Sequence, residues 1–223
     1  MKKFICLLSV IFAVSAVLFP LTACADKKPS ESRSVTDAAN PAAELTIYTF
    51  DGKPESEYGI VNLGHAFLGF KNLSREVIDI GVPVAPGEEV TFGTWSIAEH
   101  FGVWYNVESN YILNYNKYYG RQSIEKLVSL EDAETIRAFI FENDLWTPLK
   151  NCTWFAVNLW NAVSAGGDRL DTPLIYSPAK LKEDISCFNK VKTNKSVFTS
   201  ESIVYITGSG PEKFSMKEAG YAG

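Results

Sequence analysis

The stretch NCTWFAVNLW, residues 151–160, sets Cys152 directly after an asparagine and at the head of an apolar helical pattern. Phe155, Ala156, Leu159 and Val163 follow the cysteine at offsets 3, 4, 7 and 11, which is the spacing of one helix face. A cysteine in the first turn of a helix meets unpaired backbone N–H groups and the positive end of the helix dipole, and both favour thiolate over thiol. The same N–H groups can receive the oxyanion formed when a thiolate attacks a carbonyl. A thiol nucleophile also wants an imidazole to take its proton and later protonate the leaving group. The chain contains two histidines, His65 and His100. His65 opens the run HAFLGF, whose other residues are bulky and apolar, and it is the expected base.

The competing reading of the cysteine is structural. Of four cysteines, Cys6 and Cys24 fall in the N-terminal region, which leaves Cys152 and Cys187. A disulfide is the default for two cysteines in an exported protein. Cys187 lies off the Leu181, Ile185 and Phe188 stripe, which makes a buried pairing less natural. His65 alone could equally be a satisfied core histidine.

The elements that must carry these residues fall into two halves. Strands are expected at 44–50 (ELTIYTF) and 64–72 (GHAFLGFKN). The runs at 76–84 and 88–95 are expected to form a hairpin through Ala85-Pro86-Gly87-Glu88, because Pro then Gly at the central positions suits a type II turn. GVWYNVES (102–109) alternates and is read as a strand with Trp104, Asn106 and Glu108 on one face. Helices follow. One starts at Ser129 with a capping-box partner at Asp132 and a stripe of Ala133, Ile136, Phe139 and Ile140. The cysteine helix is expected to stop at Gly166-Gly167. A third starts at Ser177-Pro178, and a strand (202–208) and polar tail close the chain. Strands, then helices, then a strand make an α+β fold.

An Asn-Cys-x-x-Phe helix downstream of a strand opening with His resembles the circularly permuted papain-like families. These include permuted NlpC-type peptidases and lecithin retinol acyltransferase-like proteins. The matching residues are Asn151, Cys152, Phe155 and Leu159 in NCTWFAVNLW, and the strand GHAFLGF, within roughly residues 60–165. The resemblance implies a papain-like antiparallel sheet packed against a helix with the cysteine at its N-terminus. It implies Cys152 and His65 as the catalytic pair, and a third polar residue on a neighbouring strand that orients the imidazole. His100 is the favoured candidate for that position, with Asn106 and Glu108 as rivals.

The N-terminus bears on location. Met1-Lys2-Lys3 precedes the uncharged run FICLLSVIFAVSAVLF, an export-signal pattern too short for a comfortable membrane span, which wants roughly 20 apolar residues. Leu21-Thr22-Ala23-Cys24 resembles the bacterial lipobox, which implies cleavage before Cys24 and acylation of its sulfur. The expected organisation is a signal peptide at 1–23, a lipidated Cys24 with a flexible tether through 43, and one domain at 44–223 on the extracytoplasmic face of a membrane. Removing residues 1–23 takes away two lysines and no acid, so the formal charge moves from −5 to −7. An acidic body excludes nucleic acid as an expected partner, since phosphate neutralisation needs clustered Lys and Arg. No Cys or His pair has metal-ligand spacing and no Gly-rich phosphate loop occurs, so neither metal nor cofactor is expected.

The function expected from these readings is an extracytoplasmic, membrane-anchored cysteine hydrolase, an amidase or peptidase acting on peptidoglycan stem peptides. Lipid acyl transfer or thioester chemistry on the same fold is one alternative, and a non-catalytic cell-surface binding module is another. Trp154, Trp160 and the tyrosine cluster at 110–120 are read first as core and groove-wall residues.

Overall fold

A computed structural model describes residues 33–52, 64–198 and 202–215. The segment expected to be a signal peptide, and Cys24, lie outside the described residues. The chain has a mixed α/β architecture, with one large antiparallel sheet and four α-helices among the described residues. The sheet has eight strands in the order β10-β9-β6-β5-β2-β1-β7-β8, with β8 at Lys192–Thr193, β9 at Ile203–Thr207 and β10 at Gly210–Phe214. Its centre is β1 (Ala43–Phe50), β2 (His65–Asn72), β5 (Glu89–Ile97) and β6 (His100–Tyr105), and β7 (Gln122–Val128) continues it beside β1.

Alternation along each strand divides the molecule into two cores. Leu45, Ile47, Ala66, Leu68, Phe70, Phe92 and Val103 face the helices and form one cluster with Phe155, Ala156 and Leu159. That side carries α2 (Leu130–Glu142), α3 (Cys152–Ala162) and α4 (Pro178–Ile185). On the other side Tyr48 and Phe67 stack at 4.6 Å and pack with Val197, while Trp104 packs with Val107 and Ile203. Helix α1 (Val107–Tyr115) lies there.

The helix starts follow from local chemistry. Ser129 and Asp132 form the reciprocal capping box that their spacing predicts. Asn151 caps α3 by accepting from the Trp154 N–H at 3.0 Å. Ser177 caps α4, with Pro178 at its first position.

Four expectations are corrected. The turn at 85–88 forms, with Gly87 at φ 80° and Glu88 N–H donating to Ala85 at 3.0 Å. The runs on either side of it do not pair with each other. Residues 76–84 fold on themselves as the two-residue strands β3 (Ile78–Asp79) and β4 (Pro83–Val84), closed by Gly81, and β5 pairs with β2 and β6 instead. The strand expected at 102–109 ends at Tyr105, because Asn106 turns left-handed at φ 64° and starts α1. Helix α3 stops at Ala162 rather than at Gly166-Gly167, which belong to a separate 3₁₀ turn over Gly166–Asp168.

The fourth correction concerns the expected flexible tether, whose final part is built into the body. Arg33 pairs with Asp184 and lies over the Phe188 ring at 4.1 Å. Thr36 N–H donates to Asp168 at 2.9 Å, and Ala38 and Ala42 N–H groups bond Leu127 and Val128 at 2.9 and 2.8 Å. The domain therefore begins no later than residue 33. Starting the chain at residue 44 would leave the buried Asp168 and Asp184 without these partners. At about 1 kcal/mol per hydrogen bond the loss is roughly 3 kcal/mol or more, or about 10 °C in Tm, against a chain starting at residue 33. Differential scanning calorimetry of the two chains checks this.

Candidate active site

The candidate catalytic residues meet at the start of β2. Cys152 arrives from the helix side of the sheet as the first residue of α3, and His65 is the first residue of β2. The β2–β5 pairing stops at Leu68 and Phe92, so the backbone of Ala66 lies beyond that ladder. Its N–H donates to the Cys152 sulfur, and the His65 ring is hydrogen-bonded to the same sulfur. Cys152 is a free thiol and remains partly exposed. Cys187 is not its partner, so the Cys152–Cys187 bridge weighed from the sequence does not form.

Behind the imidazole sits Glu108, with no exposed surface. Its Oε1 lies 3.0 Å from His65 Nε2 and accepts a second hydrogen bond from Trp95 Nε1 at 2.7 Å. Nδ1 of His65 is left to face the thiol. Of the three residues considered for the third position, Glu108 is the one that holds His65. The favoured candidate, His100, is corrected: its Nε2 is 2.7 Å from Asp144 Oδ1, and its ring stacks on Tyr205 at 5.4 Å. Asp144 also accepts from the Val103 N–H at 2.7 Å, so the pair fastens the chain after α2 onto β6. Asn106 is structural as well: its side chain accepts from the Thr91 N–H at 3.3 Å and donates to Ser202 at 3.0 Å. Its left-handed backbone carries the chain out of β6, so that Glu108 enters the site from the first turn of α1.

The electrostatics follow from charge alternation in a buried setting. Burial alone would lower the pKa of His65, but the Cys152 sulfur and the Glu108 carboxylate outweigh it and push the imidazole up to about 10. Burial would raise the Cys152 pKa, yet the His65 cation, its hydrogen bond and the Ala66 N–H hold it below the ordinary thiol value. Both shifts point to a thiolate–imidazolium pair at neutral pH. For His65 itself the raised pKa favours the folded state fully below its ordinary value of 6.5, and that contribution fades as pH rises through about 10.

Two aromatic residues enclose the pair, Trp95 and, from the tyrosine cluster at 110–120 read as a groove wall, Tyr118. The Trp95 ring lies 4.3 Å from the His65 ring, and Tyr118 stacks on His65 at 5.7 Å from the loop after α1. Tyr118 sits at φ 58°, a strained position for a bulky residue. Trp160 is core, as read, with Nε1 donating to Asp168 at 2.9 Å. Trp154 packs on Phe139 at 6.3 Å beneath Lys150. No cluster of three or more His, Cys, Asp or Glu residues suited to a metal occurs among the described residues.

Comparison with known proteins adds no identity: no family model matches the chain, and neither a curated protein nor a solved structure does.

Gly93 makes room for the third residue. A Cβ there would stand 2.9 Å from Glu108 Oε1 and 3.3 Å from Phe67 Cβ. Gly93→Ala is expected to displace the carboxylate and slow Cys152 alkylation at pH 6 about tenfold, the equivalent of ~1.4 kcal/mol. Gly102→Ala, which crowds the His100–Asp144 pair instead, is expected to lower Tm while leaving that rate within twofold. Iodoacetamide labelling rates and thermal melts of both variants check the contrast.

Proposed function

We propose that the chain is a membrane-anchored extracytoplasmic cysteine hydrolase, an amidase or peptidase of the circularly permuted papain-like kind. The observation that carries this reading is the linear array Cys152–His65–Glu108. It combines a nucleophile at a helix tip, a base hydrogen-bonded to it, and a buried carboxylate on the base's far nitrogen. The order of the His strand and the Cys helix along the chain supports the permuted assignment.

In the proposed reaction the Cys152 thiolate attacks the carbonyl carbon of an amide. Charge collects on the carbonyl oxygen, where the N–H groups of the first turn of α3 can stabilise it. His65 gives its proton to the departing amine as the C–N bond breaks, leaving an acyl-thioester. Water, deprotonated by His65, then attacks the thioester, and the sulfur leaves as thiolate. Glu108 keeps the ring oriented through both halves, as the ring loses its proton to the amine and regains one from water. With an acylated Cys24 as the proposed anchor, peptidoglycan stem peptides are the nearest abundant amides. Among the described residues no helix is long and apolar enough to cross a membrane.

One observation favours acyl transfer from a lipid as a second reading. Leu149, Leu174 and Ile175 are 84%, 99% and 69% exposed. Asn151 draws the segments that carry them together beside Cys152, its Nδ2 donating to Pro148 at 3.5 Å and to Tyr176 at 3.1 Å.

Iodoacetamide labelling without reductant tests the nucleophile. Wild type is expected to label at Cys152 at pH 6, and His65→Ala to slow by on the order of 10²-fold, as an unassisted thiol is only a fraction of a per cent ionised there. Incubation with muropeptides and with phospholipid vesicles, read by mass spectrometry, separates the substrate readings. Product in neither, together with slow labelling, would leave the non-catalytic binding module.

A further inference from the structure

Trp95 lies outside the Cys–His–Glu array and touches two of its members at once. Its Nε1–H donates to Glu108 Oε1 at 2.7 Å, the same oxygen that stands 3.0 Å from His65 Nε2, and its ring lies 4.3 Å from the imidazole. The other carboxylate oxygen, Oε2, is buried with no hydrogen-bond partner among the described residues. The hydrogen bonding to this enclosed carboxyl group therefore falls on one oxygen and comes from two donors there. One of those donors is the catalytic base itself. A base whose charge depends on a carboxylate, which in turn depends on that charge, needs an outside donor. Trp95 is that donor.

We infer that Trp95 is a positioning residue that acts through Glu108: its indole N–H holds Oε1 against His65 Nε2, and so keeps the imidazole in the orientation that activates Cys152. The inference rests on the thiol–imidazole reading above and deepens it. Without the indole N–H, Oε1 loses the donor that fixes its place beside Nε2. A carboxyl group that rotates away is a poorer partner for imidazolium. The proton on His65 is then held less tightly and the sulfur keeps its own proton to higher pH. Gly93 fits the same account, since the space it leaves clear is the space Oε1 occupies between the indole and the imidazole. The ring of Trp95 also packs with Tyr111 at 6.0 Å, and Ile97, Trp104 and Val107 cluster beside it, so the indole is anchored independently of the histidine.

The test is the pH dependence of Cys152 alkylation by iodoacetamide, followed from pH 4 to 9 by mass spectrometry of the full chain. Replacing Trp95 by β-(3-benzothienyl)alanine keeps the size and shape of the ring and removes only the N–H. The acid limb is expected to move up by about one pH unit, the effect of losing one hydrogen bond to a charged group. Trp95→Phe should move it in the same direction. In a Glu108→Gln background neither change should move the limb further, because the residue acts through the carboxylate. An acid limb unchanged by the benzothienyl replacement would overturn the inference, and so would a full shift persisting in Glu108→Gln. A wild-type protein whose Cys152 reacts only above the ordinary thiol range would instead sink the thiolate–imidazolium reading itself. The two failures are thus distinguishable.

Discussion

A carboxylate with no exposed surface is the feature on which the rest of the site depends. Burying an unpaired charge costs several kcal/mol after relaxation, and two hydrogen bonds to one oxygen do not remove that cost. Glu108 is tolerable because the His65 imidazole beside it is pushed toward its cationic form. A cationic imidazole almost out of solvent favours an anion on its other side, and the lowered Cys152 pKa is in the direction that supplies one. The charges therefore alternate along the array, and removing any one leaves a neighbour stranded. The helix tip, the Asn151 cap and the Ala66 N–H act on the outermost member, where the charge is closest to solvent. A disulfide at Cys152 would have broken this chain of dependence, and the thiol is free.

The fold delivers the three residues from three directions. Cys152 comes from the helix side, His65 from the start of a central strand, and Glu108 from a helix on the opposite side. They can meet because the β2–β5 ladder ends at Leu68 and Phe92, short of the strand end that carries His65. A ladder that continued would have claimed the Ala66 N–H. The two separate cores matter here as well: α3 and α1 are each fixed by their own apolar contacts, so the distance between thiol and carboxylate is set by the sheet between them.

What the sequence disclosed and what it withheld divide along the same line. Local signals were legible: the caps at Ser129, Asn151 and Ser177, the apolar stripe of α3, and the strands carrying Leu45–Ile47 and Ala66–Phe70 all follow from neighbours within four residues. The papain-like comparison pointed to a third polar residue but not to which one. Alternation made Asn106 and Glu108 look like one strand face, whereas a left-handed Asn106 starts a helix there, a backbone state that Asn tolerates but does not announce. Scarcity favoured His100, yet its ring was claimed by Asp144, 44 positions away. Strand β7 escaped notice because Glu125 and Lys126 interrupt its apolar residues; their charges are met by Lys195 and Lys192, and by the carbonyl of Val163, all distant in sequence. The docking of residues 33–42 was hidden for the same reason, since a polar segment is held by hydrogen bonds to buried acids rather than by apolar burial.

The distribution of exposure also constrains how the proposed hydrolysis must run. Cys152 is partly exposed as a residue, while His65 is 7% exposed and Glu108 is closed off. A substrate carbonyl can reach Cys152, but bulk water has little access to the base behind it. The proton for the departing amine then has to come from His65, which holds one tightly. Water can take the ring's side of the thioester only after that amine has left and its place is vacant. A closed acid, a shielded base and an open nucleophile thus favour acylation first and water second.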